Sequence, residues 1–434
     1  MFLGAGNLIF PPTLGAIAGD QWIGALVGFI LTGVGLPVLG VVAASKAGGK
    51  STDVAKHLGE KPAMFLTFMI VICIGPLLAI PRTAAVTYEI GIKPLFPNAS
   101  PIISAIVFFL ITLFFTINST KVIDKVGAIL TPLLLVVLAV IILVGIFSPI
   151  GIPINTGNEH NFLRGFEEGY QTMDALASLV FATIIIQSIA DKGYDDLKDR
   201  IRITITAGII AAMGLFIVYG GFLYLGATAS GVFSPEFSRA ELLIGIVNKL
   251  LGNSGGIILS IAVSLACLTT SVGLTATAGN FFSQFSSKLN YKTVVYLVCA
   301  FSGFFAINGV DTIISLSVPL LTLMYPVTIV LIILSLFDDF IRYKSIYKGA
   351  CLGALIVSII QNFLAAEDQI NNLLEKLRYS PFFANMTPES VNFDTSIKII
   401  ESLPLATEGF AWIVPGIVLG LVFIFLEKSK TNSQ

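Results

Sequence analysis

The chain opens with Met1-Phe2-Leu3-Gly4-Ala5-Gly6-Asn7-Leu8-Ile9-Phe10-Pro11-Pro12, which reads as the second half of an interrupted membrane helix. Gly4 and Gly6 flank Ala5 and Asn7 follows, so an apolar segment carries two poor helix formers and an amide at one level. Backbone that leaves a helix inside hydrocarbon needs other partners for its N–H and C=O groups, and a bound ligand or ion can be that partner. A second interruption lies far downstream, from Thr172 to Ser178, inside another apolar segment.

Composition supports a membrane setting. Of 434 residues 55% are hydrophobic and 12% charged, against about 25% charged in a soluble chain. A net charge of −1 argues against a nucleic-acid partner. Cys73, Cys267, Cys299 and Cys351 all fall inside apolar segments without metal-ligand or disulfide spacing, and read as small buried hydrophobes. His57 and His160 sit in polar loops and form no metal cluster. No cleavable leader is expected, because Met1 opens on apolar residues without a basic flank.

A spanning helix needs about 20 mostly apolar residues. After the opening segment, eleven further candidates follow: Ile23–Ser45, Ala63–Ile92, Ile102–Ile117, Val126–Phe147, Tyr170–Ile189, Ile203–Ala229, Gly256–Phe285, Thr293–Ile307, Thr312–Leu336, Gly349–Leu364 and Phe410–Leu426. With twelve spans the basic residues sort by side. One side holds 17 of the 25: Lys46, Lys50, Lys56, Lys61, Lys121, Lys125, Lys192, Lys198, Arg200, Arg202, Lys288, Lys292, Arg342, Lys344, Lys348, Lys428 and Lys430. The other holds Lys93, Arg164, Arg239, Lys249, Lys376, Arg378 and Lys398, and Arg82 falls within a helix. The positive-inside rule then places both chain ends in the cytoplasm. On the outer side, Arg239–Leu251 and Gln369–Leu377 carry apolar residues at helical spacing, as interfacial helices or as lids over a vestibule.

Broken helices in corresponding halves are the best sequence pointer to a secondary transporter's binding site. In the sixth segment, Asp174 is an acid at membrane depth, either capping the half-helix that follows or meeting a ligand or proton. That half-helix N-terminus favours an anion such as a carboxylate. The eighth segment carries Ala266-Cys267-Leu268-Thr269-Thr270-Ser271. Its clustered hydroxyls suit a weakly held monovalent cation, or bond back to carbonyls one turn earlier. In the third, Gly75-Pro76 precedes Pro81-Arg82-Thr83, and Arg82 is expected to face the bundle with an acid such as Asp174 or Glu89 as partner. Gly24 and Gly28 have small-xxx-small packing spacing. No nucleophile–base pair or metal cluster suggests an enzyme. Broken helices with a bundled hydroxyl site suggest occlusion rather than a channel's continuous pore.

Gly4-Ala5-Gly6-Asn7-Leu8-Ile9-Phe10-Pro11-Pro12, Gly75-Pro76 to Arg82-Thr83, and Thr172-Met173-Asp174-Ala175-Leu176-Ala177, in that order, resemble the branched-chain amino acid:cation symporter family across essentially the whole chain. That family is similar to the amino acid–polyamine–cation superfamily. The resemblance implies an all-α polytopic membrane protein of about twelve transmembrane helices forming one transporter domain over 1–434. Within it, 1–147 and 168–336 are a five-plus-five inverted repeat with broken first and sixth helices, and 349–426 adds two helices. It implies import of leucine, isoleucine and valine across a bacterial inner membrane, driven by sodium or by protons, with no obligate protein partner inferred. Another small neutral amino acid or a nucleobase, moved with protons on the same fold, is the alternative.

Carried over, the resemblance puts substrate against Gly4, Ala5, Gly6 and Asn7, faced by Thr172, Asp174, Ala175 and Ser178. Sodium falls to Ala266, Thr269 and Thr270 with the carbonyls of Phe2 and Leu3. Arg82 and Glu89 are gating or structural groups. Family members carry further residues that build the cytoplasmic half of the first helix, so that helix is expected to be truncated here and the true start to lie upstream of Met1.

Overall fold

The computed structural model describes residues 4–50, 52–118, 120–194, 196–234, 237–285, 289–366, 400, 402–406 and 409–432. Phe2, Leu3 and the Gln369–Leu377 stretch lie outside them. The regular structure among the described residues is helical: α1 (Ala5–Ala18), α2 (Trp22–Ile30), α3 (Leu36–Ala47), α4 (Glu60–Ile72), α5 (Ala79–Val86), α6 (Pro101–Asn118), α7 (Thr120–Phe147), α8 (Asn161–Tyr170), α9 (Asp174–Asp191), α10 (Leu197–Ala229), α11 (Arg239–Phe282), α12 (Tyr291–Ala306), α13 (Val310–Leu336), α14 (Ser345–Ala365) and α15 (Ile413–Asn432).

Each of the twelve expected segments has a helical counterpart. Seven stretches are long and apolar enough to cross a membrane, and Pro101–Ile117, Pro132–Phe147 and Tyr291–Ala306 are shorter apolar helices. The opening stretch, Gly6–Ala47, holds two of the expected segments, turned at Gly19, whose φ of 53° favours a residue without Cβ. α15 supplies the last. The eighth segment begins earlier than its hydropathy suggests: α11 starts at Arg239, capped by the Ser238–Glu241 pair, and takes in the amphipathic Arg239–Leu251 stretch across a bend at Gly252 (φ 66°).

The chain divides into two compact units, Met1–Val54 with Met64–Val318, and Ala55–Ala63 with Pro319–Gln434. In the first, backbones approach where glycines permit. A Cβ on Gly226 of α10 would lie 1.9 Å from the Pro12 carbonyl oxygen of α1, and one on Gly15 of α1 the same distance from that of Leu223. Likewise α2 and α8 interlock, Gly28 against the Phe162 carbonyl and Gly165 against that of Ala25. Gly24 does not share this role, since nothing lies within 4 Å of a Cβ built there. The helix carrying Arg82 bends at Gly75-Pro76 (Gly75 φ −97°, ψ −120°) through a π-helical turn at Cys73–Leu77. All four cysteines are buried and unpaired with one another.

In the second unit α14 packs on α15, with Gly349 and Gly353 against the carbonyls of Leu419 and Pro415. Asp338 gathers Lys344 Nζ (2.5 Å), the Tyr347 hydroxyl (2.9 Å) and His57 Nε2 (3.2 Å) around one carboxylate oxygen. Burial pushes its pKa up, but the hydrogen bonds from Lys344 and Tyr347 and the charges of His57 and Lys344 outweigh burial and hold it at about 2. A carboxyl depressed in the folded state stabilises above its unfolded value, about 3.9, and loses that contribution as pH falls toward 2. The group is partly exposed, so the effect is small. Asp338→Asn is expected to lower the unfolding midpoint of the detergent-solubilised protein by roughly 2 °C at pH 7. Near pH 2.5 the gap to the parent should narrow to about a third, and a gap independent of pH would show that the charge is not responsible.

Candidate functional site

The two interruptions meet. Gly4 precedes α1, and its N–H donates to Asn7 Oδ1 at 3.1 Å. The sixth segment breaks between α8 and α9 over residues 171–173, with Met173 in the left-handed region (φ 62°). From α1, Asn7 Nδ2 donates to Asp174 Oδ2 at 2.5 Å and to the Tyr219 hydroxyl of α10, which itself donates to Asp174 Oδ2 at 3.3 Å. Asn7, Asp174 and Tyr219 are 2%, 6% and 0% exposed. Three buried polar groups from three helices thus satisfy one another and tie the breaks together. The capping role is corrected: Met173 occupies the N-cap, and the Asp174 carboxylate turns instead to Asn7 and Tyr219.

A cavity of about 40 Å3 lies at this junction. Its polar wall is Gly4, Gly6, Asn7, Arg82, Thr83, Thr172, Asp174 and Thr270, and Ile74, Ala79, Met173, Ala177, Phe181 and Leu274 give it an apolar wall. Small-molecule pockets usually run to several hundred Å3, so an amino acid enters only if the lining moves. Of the residues expected to touch substrate, Ala5 opens α1, while Ala175 and Ser178 are fully buried outside the lining, with Ser178 Oγ donating back to the Ala175 carbonyl at 2.6 Å.

Arg82 lies on α5, 3% exposed, and its Nη1 donates to the Gln171 carbonyl in the sixth-segment break at 2.6 Å. Gln171 Oε1 accepts from Ser317 Oγ of α13 at 2.8 Å, so α5 and α13 both hold the break. Glu89 lies elsewhere, accepting the Val310 N–H at the start of α13 at 2.8 Å. Beside the cavity the fully buried Phe10 ring receives two guanidiniums, Arg82 at 5.3 Å and Arg239 at 5.0 Å. Arg239 also donates through both Nη atoms to Glu168 of α8 at 3.2 Å, with Asp311 3.9 Å from its Nε.

The hydroxyls of α11 divide. Thr269 Oγ1 donates back to the Ala266 carbonyl at 2.8 Å, and Ser271 pairs with Thr112 at 3.3 Å. Thr270 faces the first break: a Cβ on Gly4 would lie 3.3 Å from its Oγ1. A hydroxyl whose proton is donated keeps its lone pairs, so Thr269 Oγ1 can still offer oxygen electrons to a small hard cation. The sequence reading missed Thr83, Gln171, Ser317 and Tyr219. Of these, Tyr219 had a local signal, a phenol directly before Gly220-Gly221 in an otherwise apolar helix.

Residues 1–430 match the family model described as "Branched-chain amino acid transport protein". The chain is 36% identical to the branched-chain amino acid permease BraB of Bacillus subtilis, covering 100% of this chain and 95% of the relative. It is 36% identical to the branched-chain amino acid transport system 2 carrier protein of Pseudomonas aeruginosa, over 96% of this chain and 91% of that one. Among solved structures, MhsT in complex with L-phenylalanine superposes with a TM-score of 0.55 at 13% identity, covering 98% and 94%. Mhp1, a nucleobase-cation-symport-1 family transporter, gives 0.54 at 12%, covering 99% and 92%. These two likenesses carry the fold alone. The fold is that of an all-helical, multi-pass membrane transporter, and at this level of identity over its whole length the chain belongs to the branched-chain amino acid transport protein family, as a transporter and not an enzyme.

Proposed function

We propose that this chain is a secondary active symporter that imports leucine, isoleucine and valine with sodium by alternating access. The observation that carries the reading is the hydrogen-bonded meeting of the two helix breaks, Asn7 with Asp174, at a cavity with one polar and one apolar wall. Ligand sites of secondary transporters lie at the interface of such broken helices. The relatives' names supply the substrate class. An apolar wall discriminates one methylene by only about 1–3 kcal/mol, so the three branched substrates should compete with one another. In this reading 1–147 and 168–336 are inverted repeats, and the basic-residue asymmetry puts both termini in the cytoplasm.

The test is leucine uptake into proteoliposomes under an inward sodium gradient, a proton gradient, or neither. Sodium-driven accumulation, blocked by excess isoleucine and valine but not by alanine, serine or uracil, is the expected result. Absence of uptake by folded protein under every gradient would refute the assignment. The buried Asp174 carboxylate favours a second reading, proton coupling, which predicts accumulation under the proton gradient alone.

Sodium coordination by the α11 hydroxyls predicts that Thr269→Ala combined with Thr270→Ala raises the sodium concentration for half-maximal uptake at least about tenfold, one lost ligand contact being worth about 1.4 kcal/mol or more. Unchanged sodium dependence would place the ion elsewhere.

A further inference from the structure

We infer that Phe181 is a specificity-determining residue: its ring closes the apolar end of the cavity and sets the longest side chain a substrate can carry. This rests on the proposal that the cavity takes an amino acid.

Three helical segments line the cavity, and each changes from polar to apolar along its own axis. α9 presents Asp174, Ala177 and Phe181, an i, i+3, i+7 spacing that falls on one helix face. α11 presents Thr270 and then, one turn further on, Leu274. On the third segment the order is reversed: Ile74 in the π-helical turn and Ala79 at the start of α5 come before Arg82 and Thr83. In an alternating series of spans the third segment runs opposite to the sixth and the eighth, which carry α9 and α11. The three gradients therefore point the same way in space. At the polar end the two breaks add Gly4, Asn7 and Thr172, and Met173 is the one apolar side chain lining that level.

An amino acid has one favourable orientation in such a space. Its ammonium and carboxylate need polar partners, and either charge buried against Phe181 and Leu274 would lose its hydration without replacement. The side chain therefore points toward Ala177 and Phe181. Along α9 seven residues rise about 10 Å, and the Phe181 ring leans back toward the helix N-terminus into that span. Leucine covers about 5 Å from its nitrogen to its methyl carbons, four bonds of roughly 1.5 Å. Ala177 keeps the intervening turn free of bulk, and Phe181, 4% exposed, ends it. The lining has to move to admit substrate, but helices that move as rigid bodies keep each residue at its own end.

Competition against labelled leucine on the purified full chain reads the assignment as a ratio. In Phe181→Ala, phenylalanine should gain at least about tenfold on leucine, since one methylene in an apolar pocket is worth about 10- to 200-fold. A ring that only packs the core would, once removed, weaken every amino acid together, and an unchanged ratio would overturn the proposal. Should Phe181→Ala fail to fold, Phe181→Leu shortens the same side chain and leaves a smaller void. Phenylalanine should then gain about threefold or more, and no gain would again overturn the assignment. Ala177→Val checks the orientation from the other direction. Leucine, the longer substrate, should lose at least about tenfold against valine, and equal losses would place the side chain elsewhere and overturn the proposal. If the parent takes a different neutral amino acid and not leucine, the branched-chain reading fails. Phe181→Ala, scored for admission of a substrate longer than that one, then still decides Phe181. Binding of no amino acid at all would overturn both.

Discussion

Asp174→Ala is expected to lower leucine uptake to less than about a hundredth of the parent rate, and Asp174→Asn to lose nearly as much while leaving the fold intact. The carboxylate is 6% exposed and accepts from Asn7 and Tyr219. Truncation to alanine removes an acceptor used by two buried donors and cuts the tie of α9 to α1 and α10, while the Asn7–Tyr219 contact remains. A buried donor left without a partner costs about 1–3 kcal/mol, so some of the alanine effect appears as lower stability. Asparagine separates the two roles. Its side-chain oxygen, in the place of Oδ2, still accepts from Asn7 and from Tyr219, but the negative charge is gone. Loss of the counter-charge for a substrate ammonium in a buried site corresponds to about 2–5 kcal/mol, or 30-fold and upward in affinity. Uptake into proteoliposomes and the unfolding midpoint are therefore measured together. If Asp174→Asn transported within twofold of the parent, the carboxylate would be a structural tie and no ligand to the substrate.

The helices and both breaks were legible because their signals are local. Twelve apolar runs are visible in any hydropathy reading, and Gly4-Ala5-Gly6-Asn7 announces its own interruption. That the breaks face each other came from the family resemblance and not from local signals, and the Tyr219 brace on their join was not legible, because Tyr219, 45 residues from Asp174 in sequence, is brought across by the packing of α10 on α1. The N-cap illustrates a different failure. Met173 adopts φ 62°, a conformation that glycine or asparagine would advertise and methionine does not. The capping alternative for Asp174 therefore fails, since its neighbour fills the N-cap and the carboxylate faces an asparagine and a tyrosine. Arg82 was legible as buried and inward-facing. Its hydrogen bond to the Gln171 carbonyl was not, since backbone acceptors exposed by a break carry no residue signature.

Glycine spacing was the weakest guide, and it leads to the second large effect. Gly226→Ala is expected to leave little folded protein, whereas Gly24→Ala, the same added methyl, is expected to leave folding unchanged. At Gly226 the new Cβ would sit 1.9 Å from the Pro12 carbonyl oxygen, with the Pro12 carbonyl carbon at 2.7 Å. Those are backbone atoms that cannot rotate aside, so α1 and α10 must separate. Overpacking of this kind costs about 3 kcal/mol or more when the neighbour cannot yield, a large share of a typical net stability of 5–15 kcal/mol. The separation would also draw Asn7 on α1 away from Tyr219 on α10, so uptake should fall in whatever protein still folds. At Gly24 nothing lies within 4 Å of the added carbon. There the only expected term is the better helix propensity of alanine, up to about 1 kcal/mol in favour of folding. Fluorescence-detected size exclusion of the two variants, expressed side by side, reads the difference directly. Equal monodisperse yields would mean that α1 and α10 do not hold the close approach on which the junction of the two breaks depends.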